Sequence, residues 1–336
     1  MTGEVGRTTR VWSRSRGAIA TIIGAVALAL LAACAPPNSQ SQSKTIRAVA
    51  TVGMVADIVR GVGGDRVEVI SLMGPGVDPH LYKPTRTDIQ RLLDADIVFY
   101  NGLLLEGRMT DALVRTASAG KRVHAVTEAL EEEYLLEPEE FAGHHDPHVW
   151  MDPRAWAKAV EVVRDHLIAA DPAHASEYEV NAAVTIARIV ELDAYAERVL
   201  GSVPEGLRVL VTAHDAFNYF GRRYGFEVVG IQGISTESEA GVRDIERLVD
   251  LLVTRKIPAV FVESTVSRRN IDALRAGARA RGHEVTVGGT LYSDAMGPEG
   301  TYEGTYIGMI DHNVTMIGRA LGGDAPARGM HGELAE

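Results

Sequence analysis

Thiols are almost absent: Cys34 is the single cysteine in 336 residues. One sulfhydryl cannot close a disulfide within the chain, and it cannot build a thiolate-rich metal site. The fold must therefore rest on its own core. With 46% apolar residues, the part of the chain beyond the N-terminal segment can supply one large or two medium domains. Basic charge is also scarce. Lys and Arg number 34 against 45 Asp and Glu, a net of −11, which argues against a nucleic-acid partner. Long apolar runs are missing too. The longest at the N-terminus, Gly17 to Leu31, falls short of the roughly 20 residues that span a bilayer. No His-Glu-x-x-His helix is present, so the common zinc-hydrolase signature is excluded.

What the N-terminus does contain is a targeting pattern. Arg7, Arg10, Arg14 and Arg16 precede the apolar stretch, which ends in Leu31-Ala32-Ala33-Cys34. Small residues leading into a cysteine look like a bacterial lipobox. The expectation is a signal peptide over residues 1–33 and a lipidated Cys34 as the new N-terminus. Removing that segment takes the charge from −11 to −14, because it carries four Arg and one Glu. Residues 34–44, polar and rich in Ser, Gln and Pro, read as a flexible tether. Stable attachment through it requires more than one acyl chain.

Beyond the tether, short β-branched runs alternate with helical patterns. The strand candidates are Ile46–Val52, Val67–Leu72, Ile97–Tyr100 and Arg122–Val126, then Val209–Thr212, Val228–Ile231, Ala259–Val262 and Glu284–Val287. Such alternation predicts parallel βαβ units. Between the two sets, Asp171-Pro172 reads as an N-cap and first helical residue for a helix from Ala173 to Leu200, roughly 40 Å long. The expected fold is α/β: two similar lobes, each with a four-stranded, mainly parallel sheet flanked by helices, joined by one long rigid helix. The corresponding boundaries are 45–170 for the first lobe, 171–203 for the linking helix, 204–325 for the second lobe and 326–336 for a tail. Thr87-Asp88-Ile89-Gln90 reads as a capping box ahead of Leu93.

Chemistry concentrates in four places. Asp-Pro-His occurs twice, as Asp78-Pro79-His80 and Asp146-Pro147-His148. His214 follows the apolar run Val209–Val211, and Asp294 follows Val285–Leu291. Proline after aspartate favours a turn and gives the next histidine a defined direction. Strand ends are where ligands gather in parallel sheets. Three imidazoles and one carboxylate form a nitrogen-and-oxygen site for a divalent transition metal such as Zn²⁺, Mn²⁺ or Fe²⁺. Four protein ligands leave no obvious position for a reactive water, which favours holding an ion over catalysis. Among the remaining candidates, His144 and His145 form a short histidine pair in a loop, and Asp215 is placed to orient an imidazole. His124, His166, His174, His283 and His312 are assigned no role. Trp150 and Trp156 read as packing residues.

Gly76-Val77-Asp78-Pro79-His80-Leu81-Tyr82, Asp146-Pro147-His148-Val149-Trp150, Ala213-His214-Asp215-Ala216-Phe217, Gly230-Ile231-Gln232-Gly233-Ile234-Ser235, Phe261-Val262-Glu263-Ser264 and Tyr292-Ser293-Asp294-Ala295-Met296-Gly297 together resemble the substrate-binding lipoproteins of zinc/manganese ABC importers. The resemblance runs in order over nearly the whole chain after the tether. It implies two α/β lobes joined by a long helix and a metal held between them by His80, His148, His214 and Asp294. It also implies a non-catalytic monomer on the outer face of the cytoplasmic membrane that serves an ABC permease and its ATPase. The third position varies in the family, and His214 there leaves manganese and zinc both open. Dedicated zinc binders carry a long acidic, His-rich loop before the second motif, whereas this chain has only His144 and His145, which tilts the expectation towards manganese. An extracellular mononuclear metallohydrolase and a surface adhesin are the competing classes.

Overall fold

Ile46, Ala48, Val49 and Ala50 have both faces of a strand to bury, and they form the middle of a parallel sheet. The computed structural model describes residues 1–3, 6, 45–238 and 240–335. Apart from residues 1–3 and 6, the signal segment lies outside the described residues, as do Cys34 and the tether. The first sheet contains β1 (Ile46–Ala50), β2 (Val67–Ser71), β3 (Ile97–Tyr100) and β4 (Arg122–Ala125), in the order β2-β1-β3-β4 and all parallel. Helices α1 (Gly53–Gly63), α2 (Arg86–Asp94) and α3 (Thr110–Ser118) connect these strands. The capping box of α2 is formed by Thr85 and Asp88, two residues earlier than expected at Thr87. Both threonines satisfy the local pattern. Asp88 settles the choice because its carboxylate also accepts from Tyr82 Oη and from Thr85 N.

The second set of strands is β5 (Val209–His214), β6 (Glu227–Gln232), β7 (Ala259–Glu263) and β8 (Thr286–Leu291). They form two parallel pairs, β5-β6 and β7-β8, rather than the single four-stranded sheet expected. Where β5 meets β7, the backbone N–H of His214 donates to the Glu263 side chain at 2.8 Å, so a carboxylate takes the place of a backbone carbonyl. β8 also runs further than Glu284–Val287. Gly288 and Gly289 continue the strand. A Cβ on Gly288 would lie 2.6 Å from the Phe261 ring and 2.7 Å from Ala320, so the glycine serves close packing.

Between the two strand sets lie α4 (Pro153–Ala170) and α5 (Ala175–Gly201), the latter 27 residues long. Asp152 caps α4 with Pro153 at its first position. Asp171 does not cap α5. Its carboxylate instead holds His174 Nδ1 at 2.6 Å and Tyr178 Oη at 3.0 Å. Midway along α5, Asp193 accepts from Arg154, Arg223 and Tyr224, joining α4 to α6 (Asn218–Tyr224). The remaining helices are α7 (Val242–Arg255), α8 (Arg269–Ala280) and α9 (Tyr306–Ala320).

The buried side chains form a large cluster around the first sheet, α5 and α9, and a smaller one among β5–β8, α7 and α8. β5 and β7 face both clusters. Leu210 and Phe261 join the first, while Val211 and Val260 join the second, as expected for strands covered on both faces. β6 approaches the turn after β5 at Gly230, where a Cβ would lie 2.5 Å from Asp215 N and 2.6 Å from Gln232 O. Backbone cannot yield as a side chain can. Gly230→Ala should therefore destabilise the protein by about 1–3 kcal/mol through overpacking, measurable as a shift in the midpoint of denaturant unfolding.

Candidate metal site

The two Asp-Pro-His motifs fold alike. In each, the histidine N–H donates to Oδ1 of the aspartate two residues before it, at 2.9 Å. This side-chain turn is what aspartate ahead of proline favours. His80 lies in the loop after β2, and His148 lies just ahead of α4. The first turn is tied to the second half of the chain, since Asp78 Oδ2 accepts from Thr236 Oγ1 at 2.6 Å. The second is tied there as well: Asn218 Nδ2 donates to Asp146 Oδ2, and Tyr219 Oη donates to Asp146 O. His214 ends β5, and Asp294 follows β8 by three residues.

These four side chains converge. His148 Nε2 is 3.3 Å from Asp294 Oδ1, His214 Nε2 is 3.2 Å from Asp294 Oδ2, and His80 Nε2 is 3.3 Å from His148 Nε2 and 3.9 Å from Asp294 Oδ2. All four are buried, and His80 is the most accessible at 5%. Neither Asp294 oxygen nor His214 Nε2 makes a well-directed hydrogen bond. A buried carboxylate with no hydrogen bonds is costly unless a cation takes its place among the donors. Three nitrogens and a carboxylate at this spacing suit a divalent transition metal.

The other nitrogen of two rings is held by a carboxylate. His148 Nδ1 is 2.7 Å from Asp146 Oδ1, and His214 Nδ1 is 2.5 Å from Glu263 Oε2. Each carboxylate keeps a proton on Nδ1 and directs Nε2 at the common centre. Burial opposes charge on both rings, yet the negative neighbours prevail. Asp146 and Asp294 push His148 up to about 9, and Glu263 and Asp294 hold His214 well above the ordinary imidazole value. His80 has no such partner, and burial lowers it to about 3. Burial would raise Asp294, but His214 and His148 hold it well below the usual carboxylate range.

Asp215, expected to orient an imidazole, does not hold His214. In the structure Glu263 orients His214, and Asp215 accepts from Asn218 Nδ2, the amide that also bonds Asp146. Glu263 stood in a recognisable segment, but only the pairing of distant strands reveals its task. Trp150 does more than fill space. Its Nε1 donates to the carbonyl of Ser293, beside Asp294, at 2.9 Å, and its ring lies 5.3 Å from His148. His144 is exposed and His145 half-buried, and neither joins the cluster. His283 Nε2 and His312 Nε2 pair with backbone carbonyls of Ile257 and Thr290.

A family model described as zinc-uptake complex component A, periplasmic (ZnuA), matches residues 48–320. The chain belongs to this family, the metal-binding receptors of ABC importers. It is 46% identical over 282 residues to the manganese-binding lipoprotein MntA of Bacillus subtilis, covering 84% of this chain and 92% of that one. It is 45% identical over 273 residues to the zinc-binding protein TroA of Treponema pallidum, covering 81% and 88%. The solved structure of that periplasmic zinc binding protein superposes with a TM-score of 0.80 at 44% identity, covering 82% of this chain and 99% of the other.

Proposed function

We propose that this protein is an extracytoplasmic, lipid-anchored receptor that captures one divalent transition metal ion and delivers it to an ABC permease with its ATPase. The observation that carries the reading is the convergence of His80, His148, His214 and Asp294, whose donor atoms all lie within 4.8 Å of one another. These four residues are the ligands in this proposal, with Asp146 and Glu263 orienting two of them. The cargo is Mn²⁺, Zn²⁺ or Fe²⁺. Intrinsic affinity does not choose among them, because such a site holds Zn²⁺ more tightly than Mn²⁺ whatever its biological task. Supply of metal and acceptance by the permease make that choice. The experiment that tests the function is uptake of radiolabelled Mn²⁺ and Zn²⁺ by cells lacking the gene. Uptake should return with the wild-type chain and not with Asp294→Ala, whereas full uptake without the protein would overturn the reading.

The proposal divides the chain into a first lobe over 45–170, a linking helix over 171–203 and a second lobe over 204–325, with the strand pairs of the second half acting as one layer. His80 and His148 come from the first lobe, and His214 and Asp294 from the second. A rigid link between lobes that also touch at Asp78–Thr236 and Trp150–Ser293 supports a modest shift on loading rather than a wide closure. Four protein ligands disfavour the metallohydrolase reading, since a hydrolase keeps a position for water.

The anchor is Cys34, and the protein acts as a monomer. Radiolabelled fatty acid should enter the wild-type chain and not Cys34→Ser, and equal labelling would remove the anchor from the proposal. Glu263 carries a further expectation. Glu263→Gln keeps the shape but weakens the hold on His214 Nδ1. It should lower metal affinity by roughly tenfold, the usual scale for losing such an orienting partner, as read by competition with a chromophoric chelator.

A further inference from the structure

Among the described residues a second group of metal-ligating side chains stands apart from the four-donor cluster. His124 in β4, Glu128 in the turn after it and His166 in α4 offer donor atoms that all lie within 4.8 Å of one another. We propose that His124, Glu128 and His166 form a second, solvent-accessible site for a divalent transition metal, with two imidazoles and one carboxylate as ligands and an open position filled by water.

The three residues are carried by firmly placed backbone. β4 pairs in register with β3, Phe99 opposite His124. The turn is pinned where Val126 N donates to Tyr100 O and Glu128 N to Ala125 O. α4 packs its other face into the core through Trp156, Val160 and Val163. The donors therefore meet because the scaffold brings them together. They are also reachable. The side chains of His166 and Glu128 are 25% and 44% exposed. That openness separates this site from the buried cluster and suits an ion that exchanges readily with solvent.

Chemistry favours a cation here. His166 Nε2 already lies 2.5 Å from Glu128 Oε1. The two imidazole rings stack with centroids 3.5 Å apart and a 20° tilt. Two stacked imidazolium rings would repel each other, whereas two neutral rings can share one cation. Two imidazoles and one carboxylate with a vacant fourth position are a familiar zinc donor set. Ligand bonds of about 2.0–2.1 Å to nitrogen require the stacked rings to slide so that both lone pairs meet the ion. The competing reading is an ordinary His166–Glu128 ion pair capped by His124, with no affinity for metal.

Titration of the untagged, metal-stripped chain with Zn²⁺ alone, followed by calorimetry, separates the two readings. The wild type should bind two equivalents, one tight and one weaker. His166→Ala and Glu128→Gln should each weaken the second event at least roughly tenfold and leave the first unchanged. His80→Ala should do the reverse, so failure here is distinct from failure of the cargo site. Glu128→Gln alters a half-exposed side chain without changing its size, which keeps the test valid if a histidine variant folds poorly. A single equivalent in the wild type would overturn the proposal. So would a second equivalent that survives both His166→Ala and Glu128→Gln, including one abolished instead by replacing His144 and His145.

Discussion

Asp294→Ala is expected to reduce affinity for Mn²⁺ and Zn²⁺ more than any other single change, and by at least roughly tenfold. Asp294 is the only anionic ligand in the proposed set, and it stands within 3.3 Å of both His148 and His214. Its removal leaves a doubly charged ion facing three neutral nitrogens in a water-poor interior, where Coulomb terms are large. His80→Ala should also cost roughly tenfold or more, but less than Asp294→Ala. His80 is the most exposed of the four and the farthest from the carboxylate, so water can enter where its ring was. Calorimetric titration of both variants checks the order. Wild-type affinity in the two would remove these residues from the site.

Metal binding is further expected to release about two protons per ion at neutral pH. The sign follows from the metal-free protein. His148, held up to about 9, and His214, held well above its ordinary value, are both protonated at pH 7. His80, lowered to about 3, is already neutral, and Asp294 is already ionised. The incoming ion must displace the Nε2 protons of His148 and His214, while their Nδ1 protons stay with Asp146 and Glu263. Affinity should therefore fall steeply as the pH is lowered through neutrality from about 9, the value to which His148 is raised. Unperturbed imidazoles place acid release near 6.5 and below. The carboxylates behind the rings move that window upward. Calorimetry in buffers of different ionisation enthalpy counts the protons, and release of fewer than one would contradict this charge arrangement.

Much of this site was legible because its signals are local. Aspartate before proline announces a turn, and both Asp-Pro-His motifs form the same one. His214 could be placed from the apolar run before it, since strands of a parallel arrangement present their C-terminal ends to ligands. What escaped the sequence depends on partners far along the chain. Glu263 lies 49 residues from His214, and Asp215, adjacent to that histidine, looked the better partner. The same carboxylate stands between β5 and β7, and no periodicity announces that four similar runs will form two pairs. The strand candidate stopped at Val287 because Gly288 and Gly289 lack β-branched side chains, but their small size serves the approach of Phe261, Ala320 and Met316. Thr85 and Thr87 both fit a capping pattern, and the bonds that Asp88 accepts from Tyr82 and Thr85 distinguish them.

The strap from His80 through Asp78 to Thr236 bears on how a full receptor is told from an empty one. If two protons leave as one doubly charged ion arrives, the total charge of the interior is the same before and after, and the electric field at the surface hardly changes. A transporter waiting in the membrane cannot sense cargo at a distance through that field. It must feel shape. A small pull on the His80 ring would pass through its backbone to the Asp78 carboxylate and on to the Thr236 hydroxyl. Beside it, Glu237 meets Arg108 at the solvent boundary.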